Sequence, residues 1–145
     1  MKRLGLTIKK GELWYSVLEG DCWENAEILK TEKNNFQAET DFPELMNYFH
    51  RLFSEIITEY QPNSVAIRLS LDAKLGQIPY LHCPIGVLGC LCREIQLPLT
   101  IRSSKWTDSK KREECRAKFS PVKLNDNELY ATVVALHEFE VKDES

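Results

Sequence analysis

Arg68 is the side chain whose position demands most of its surroundings. It lies in Ser64–Leu71 (SVAIRLSL), a run apolar enough for a central strand. A charge in such a strand needs a partner, either an internal acid or a bound anion. Asp126 and Glu128 are the acids that fit an internal ion pair. Further cations sit at the ends of strand-like runs: Lys9 and Lys10 in a Lys-Lys-Gly turn, Lys74 in a Lys-Leu-Gly loop, and Lys105 beside Trp106. Basic groups with an aromatic at the rim suit a phosphate backbone and a stacked base.

Metal and nucleophile chemistry finds less support. The cysteines are Cys22, Cys83, Cys90, Cys92 and Cys115. Cys90-x-Cys92, with His82-Cys83 upstream, lacks the paired spacings of structural zinc sites. These cysteines read as core residues of a reducing compartment. His50 and His137 fall on helices with no Cys or Ser partner at legible spacing. No cofactor and no metal site is expected.

The elements that must position these residues follow from periodicity. Leu4–Lys9 and Glu12–Glu19 alternate as strands joined by the Lys9-Lys10-Gly11 turn, and Gly20-Asp21 turns into a third, polar strand over 23–30. Trp14 and Trp23 read as packing residues. Residues 31–40 read as a loop. Thr40 or Asp41 caps a helix with Pro43 in its first turn and Leu45, Phe49, Leu52, Phe53, Ile56 and Tyr60 on one stripe. Ser64–Leu71 is the fourth strand. A helix over 84–95 follows, with Gly86 and Gly89 marking close packing on the sheet. Then come a fifth strand over 97–101, a basic helix from Thr107 or Ser109 to Lys118, and a last helix capped by Asn125 or Asp126 and running to Glu140. The fold class is α/β: one domain over 1–141, with a frayed tail over 142–145.

Composition narrows the function. The 145 residues carry a net charge of −3, which argues against a general nucleic-acid coat protein. The charge is unevenly spread. Residues 101–123 carry eight cations against Asp108, Glu113 and Glu114, and residues 124–145 carry six acids against Lys142. Two oppositely charged helices lying side by side, or an anion-binding basic face, account for this. No apolar leader or membrane-length run is present, so a cytoplasmic protein is expected.

The order β-β-β-α-β-α-β-α-α, with helical crossovers into the later strands, resembles the ribonuclease-H-like superfamily and within it the RuvC-type resolvases. Local matches are Leu4-Gly5-Leu6-Thr7, Ile57-x-x-Tyr60-Gln61-Pro62-x-x-Val65-Ala66-Ile67, Lys74-Leu75-Gly76-Gln77 and Ala131-x-x-Val134-Ala135-Leu136-His137. The chain also looks like small uncharacterised bacterial proteins of that fold, which keep an Ile-Arg pair as at Ile67-Arg68. The resemblance implies a five-stranded mixed sheet: an antiparallel meander, with the fourth and fifth strands parallel to the first. In active members, carboxylates on the first strand, the fourth strand and the last helix gather two divalent cations. Carried over position by position, those carboxylates fall on Thr7, Arg68, Asn127 and Tyr130. A guanidinium about 4 Å from a dication meets a repulsion of roughly 8 kcal/mol at an effective dielectric of 20.

Three readings are open. The first is a catalytically degenerate module that binds an anionic partner, nucleic acid first, at the carboxyl ends of the parallel strands. The second is a protein-interaction or homodimeric scaffold, using a sheet edge or the 107–118 helix. The third is a nuclease with relocated ligands drawn from Asp72, Asp126 and Glu128, although Asp126 also reads as a helix cap and Glu128 as a partner of the helix dipole.

Overall fold

The computed structural model describes residues 1–9, 11–37, 41–69, 78–120 and 122–143. Strands β1 (Lys2–Lys9), β2 (Glu12–Glu19) and β3 (Glu27–Asn35) are followed by helix α1 (Phe42–Tyr60) and strand β4 (Ser64–Leu69). Helix α2 (Ile78–Glu94), strand β5 (Leu99–Ser103) and helices α3 (Ser109–Phe119) and α4 (Asp126–Asp143) complete the chain. The sheet order is β3-β2-β1-β4-β5. β2 runs antiparallel to β1 and β3, while β4 runs parallel to β1 and β5 parallel to β4.

Strict alternation divides the sheet between two helical layers. Leu4, Leu6, Ile8, Leu13, Tyr15, Val17, Val65 and Ile67 face α1 and α2, where Phe49, Phe53, Leu88 and Leu91 close the larger core. The opposite face meets α4 and α3 through Leu18, Leu129, Val133, Leu136 and Cys115. At the centre α4 lies directly on β1. A Cβ at Gly5 would stand 2.0 Å from the Ala131 carbonyl oxygen, so only glycine admits this approach.

Helix ends follow their side chains. The Asp41 carboxylate accepts from the Glu44 amide at 3.0 Å and Gln61 closes α1 in the left-handed region. Asn125 and Glu128 form a reciprocal capping box at α4, with bonds of 2.9 and 3.1 Å.

Several expectations shift, and among them the fifth strand lies at Leu99–Ser103 rather than over 97–101. The third strand starts at Glu27 rather than Trp23, because the Asn25 side chain accepts from the Asp21 and Cys22 amides and holds 23–25 as a 3₁₀ turn. It then continues to Asn35, through residues expected as loop. Helix α2 begins at Ile78, so Pro84, a buried residue, lies inside it. Gly86 and Gly89 do not pack on the sheet. The helical phase sends Val87, Leu88, Leu91 and Cys92 inward, and a Cβ at either glycine would meet nothing within 4 Å.

Of the cysteines, Cys92 and Cys115 are core residues, whereas Cys22 and Cys83 are half-buried and Cys90 is exposed. Burial pushes the Cys92 thiol up to about 11 and the Cys115 thiol up to about 12. The Tyr15 phenol, which donates to the Glu32 carboxylate, is raised well above its ordinary value, by burial first and by Glu32 second. Groups whose acid form is favoured in the native state contribute stability below their unfolded pKa and lose it as pH rises beyond that value. Urea midpoints are therefore expected to fall above about pH 9 as the thiols, and then above about pH 10 as Tyr15, begin to ionise in the unfolded chain. Tyr15→Phe should flatten the upper part of that slope; an unchanged profile would remove Tyr15 from the account.

Candidate functional site

The site is built where β4 and β5 end and α3 begins. Arg68 faces the α4 layer, paired in register with Thr7 on β1 and Arg102 on β5. Its Nε donates to Thr107 Oγ1 at 2.9 Å, and that hydroxyl donates to the Ser104 carbonyl at 2.9 Å. The guanidinium lies 4.0 Å from the centre of the Tyr130 ring, a cation–π contact. A second guanidinium, that of Arg112, reaches the same ring at 5.6 Å and the Tyr130 hydroxyl at 3.5 Å. Arg112 also donates to Ser109 Oγ at 3.1 Å.

These groups line a pocket of about 400 Å³ formed by Arg68, Ser104, Lys105, Thr107, Asp108, Ser109, Arg112 and Tyr130. Asp108 caps α3 by accepting from the Lys111 amide at 2.9 Å. That backbone bond, with the charges of Lys111 and Lys110, holds its carboxyl below the ordinary range. Among the described lining residues, three cations stand against one carboxylate.

The sequence-derived positions separate. Arg68 and Lys105 meet in the pocket, and Tyr130 forms part of its wall. Thr7 is buried beside Arg68, and Asn127 is half-buried on the first turn of α4. Lys9 is exposed at the end of β1 and does not line the pocket. Lys10, Lys74 and Asp72 lie outside the described residues, as does the Trp106 side chain.

Of the acids expected to neutralise Arg68 or to form a relocated metal site, the two described ones, Asp126 and Glu128, bond to other groups. Asp126 pairs with Arg116 at 3.3 Å on the surface, which ties the basic helix to the acidic one. Glu128 completes the α4 cap and accepts from Thr31 Oγ1 at 2.8 Å. Both acids therefore serve the helix start. Among the described residues no group of three His, Cys, Asp or Glu side chains is placed to hold a metal.

Thr107 and Arg112 escaped the sequence reading. Thr107-Asp108-Ser109 was legible as a helix start. Arg112, however, is one cation among several, and only the packing of α3 on α4 selects it.

Comparison with solved structures agrees with this topology. The chain superposes on Thermus thermophilus RuvC in complex with a Holliday junction substrate with a TM-score of 0.80 at 16% identity, covering 99% of this chain and 96% of that one. A second Thermus thermophilus RuvC structure gives 0.79 at 16% identity, with 99% and 97% covered. The yeast mitochondrial Holliday junction resolvase gives 0.67 at 11% identity, with 98% and 80% covered. The fold is ribonuclease-H-like, of the RuvC type. No family model and no curated protein matches the sequence. Among the described residues, no helix of this RuvC-like chain is long and apolar enough to cross a membrane.

Proposed function

We propose that this RuvC-like chain is a catalytically degenerate cytoplasmic module that binds nucleic acid through the pocket at the β4–α3 junction. The observation that carries this reading is the convergence of Arg68 and Arg112 on Tyr130, with Lys105 at the same pocket. Guanidinium forks match phosphate geometry. The solved RuvC in complex with a Holliday junction substrate and the yeast Holliday junction resolvase support nucleic acid over other anions.

Among the described residues, the side chains at the positions that the resemblance assigns to metal ligands suit a pair of divalent cations poorly. Such ions are held through several carboxylates. Here the corresponding positions carry the buried Thr7 hydroxyl, a guanidinium, an amide and a phenol. We therefore assign no hydrolytic step to the pocket.

The test is a thermal-shift titration with short oligonucleotides beside one with Mg²⁺ and Mn²⁺. A ligand that binds only the native state raises its apparent stability. Oligonucleotides should raise the midpoint in a salt-sensitive manner, and Lys105→Ala should reduce that rise. Metal-induced shifts accompanied by cleavage would overturn the reading in favour of hydrolysis.

A second reading has its own observation. An apolar hollow of about 700 Å³ between α1 and α2 is lined by Phe42, Met46, His50, Val87 and Cys90 among others. Phe42 and Met46 are 46% and 50% exposed there. A second copy of the chain seated on this face, which is neither the sheet edge nor the 107–118 helix, would give a dimer insensitive to salt and no oligonucleotide shift.

A further inference from the structure

The strand register aligns one row of residues across the whole sheet: Lys33 on β3, Trp14 on β2, Thr7 on β1, Arg68 on β4 and Arg102 on β5. These residues share the face that carries α4, and Arg68 places the row's β4 end at the pocket, while Thr7 between Trp14 and Arg68 is buried. From Lys33 to Arg68 is three strand spacings, roughly 14 Å at about 4.8 Å each.

Helix α4 does not extend its cover to the β2–β3 end of this row. It grips the sheet one row lower on that face, β2 through Thr132 Oγ1 and Ser16 Oγ at 3.0 Å and β3, at the residue paired with Ser16, through Glu128 and Thr31. Trp14 is left half-buried although its neighbours Leu13 and Tyr15 are fully buried. Glu12 accepts from the indole Nε1 at 3.0 Å and pins the ring edge, with Lys9 opposite Glu12 in register. Lys33 Nζ stands 5.5 Å from the ring centre. Trp14, expected from sequence to pack, is half-buried and presents the rest of its ring beside a cation.

We infer that an unpaired nucleic-acid strand held in the pocket runs on to this second contact point, a track in which Trp14 is the platform on which one base stacks and Lys33 is a phosphate contact beside it. The inference rests on the nucleic-acid reading above and names the form of the ligand. A base stacked and paired inside a duplex has no free face for an indole, whereas an unpaired one has. The aromatic-plus-cation arrangement reads backbone and ring faces and asks for no particular base.

The test is fluorescence anisotropy of the whole chain with labelled oligothymidylate, oligouridylate and a duplex of matched length, the first two separating DNA from RNA. Trp14→Ala should weaken single-strand binding roughly tenfold, while Trp14→Phe should keep most of the affinity but lose the quenching of tryptophan emission. Lys33→Ala should make the log–log salt slope shallower by about 0.7, the value for one single-strand phosphate contact.

If Trp14→Ala misfolds, the Trp14→Phe emission and the Lys33→Ala slope still decide. Binding weakened by Lys105→Ala but indifferent to Trp14 and Lys33 would overturn the track and leave the pocket standing. Duplex bound as tightly as single strand would also overturn the track. Binding of none of the three probes would overturn the nucleic-acid reading itself, and the track with it.

Discussion

Gly5→Ala is expected to destabilise the chain by about 3 kcal/mol and to lower the thermal midpoint by roughly 10 °C. The added methyl would stand 2.0 Å from the Ala131 carbonyl oxygen, 2.8 Å from Ala135 Cβ and 3.0 Å from the Ala135 amide nitrogen. Two of these are backbone atoms of α4 and have no rotamer to escape into. The helix must therefore lift from β1. Ala131 is adjacent to Tyr130, so the movement should also loosen the pocket and weaken oligonucleotide binding. Gly86→Ala is the control: a methyl there meets nothing within 4 Å, and helix propensity predicts a gain of up to about 1 kcal/mol. Calorimetry or urea melts that give both substitutions the same sign would contradict the close seating of α4 on β1.

That contrast also shows which parts of the structure were legible in the sequence. Gly5 and Gly86 are the same residue type in apolar segments, and nothing local distinguishes them. The first sits under a helix more than a hundred residues away in the chain; the second faces outward because the phase of its helix turns Val87, Leu88, Leu91 and Cys92 inward. Elements with strong periodicity and caps were readable: Asp41, Pro43 and the stripe from Leu45 to Ile56 define α1, and alternation defines β1 and β2. The third strand was misplaced because Asn25 caps a turn through side-chain bonds that leave no periodic trace.

The site follows the same division. Arg68 stood out because a charge interrupts an apolar strand, whereas the acids expected beside it, Asp126 and Glu128, bond to other groups. Both acids had a local use at the start of α4, the cap and the Arg116 bridge. Thr107 and Arg112 reach Arg68 and Tyr130 through tertiary packing. Trp14 and Lys33 enter only through strand register, which depends on a bulge between Val17 and Leu18. A shift of one residue would have turned Lys33 to the other face.

Arg68→Glu is expected to weaken oligonucleotide binding at least a hundredfold, a change of about 2.7 kcal/mol. The substitution removes one positive charge and adds a negative one in a pocket that already holds Asp108. Each unit of charge roughly 5 Å from a phosphate is worth about 3 kcal/mol at an effective dielectric of 20, less where salt screens it. Part of any loss is structural, since the cation–π contact with Tyr130 and the bond to Thr107 disappear together. Arg68→Leu separates the two effects. It loses the same contacts without the added anion, and an apolar residue suits a central strand, so its thermal midpoint should stay near that of the native chain. Its affinity should fall roughly tenfold, between the native protein and Arg68→Glu. The order native, Leu, Glu in affinity, without a matching order in stability, would locate the charge of the ligand at this guanidinium. Equal affinities for all three would place the binding surface elsewhere, because no rearrangement of neighbouring lysines preserves a phosphate contact against a glutamate in the same pocket.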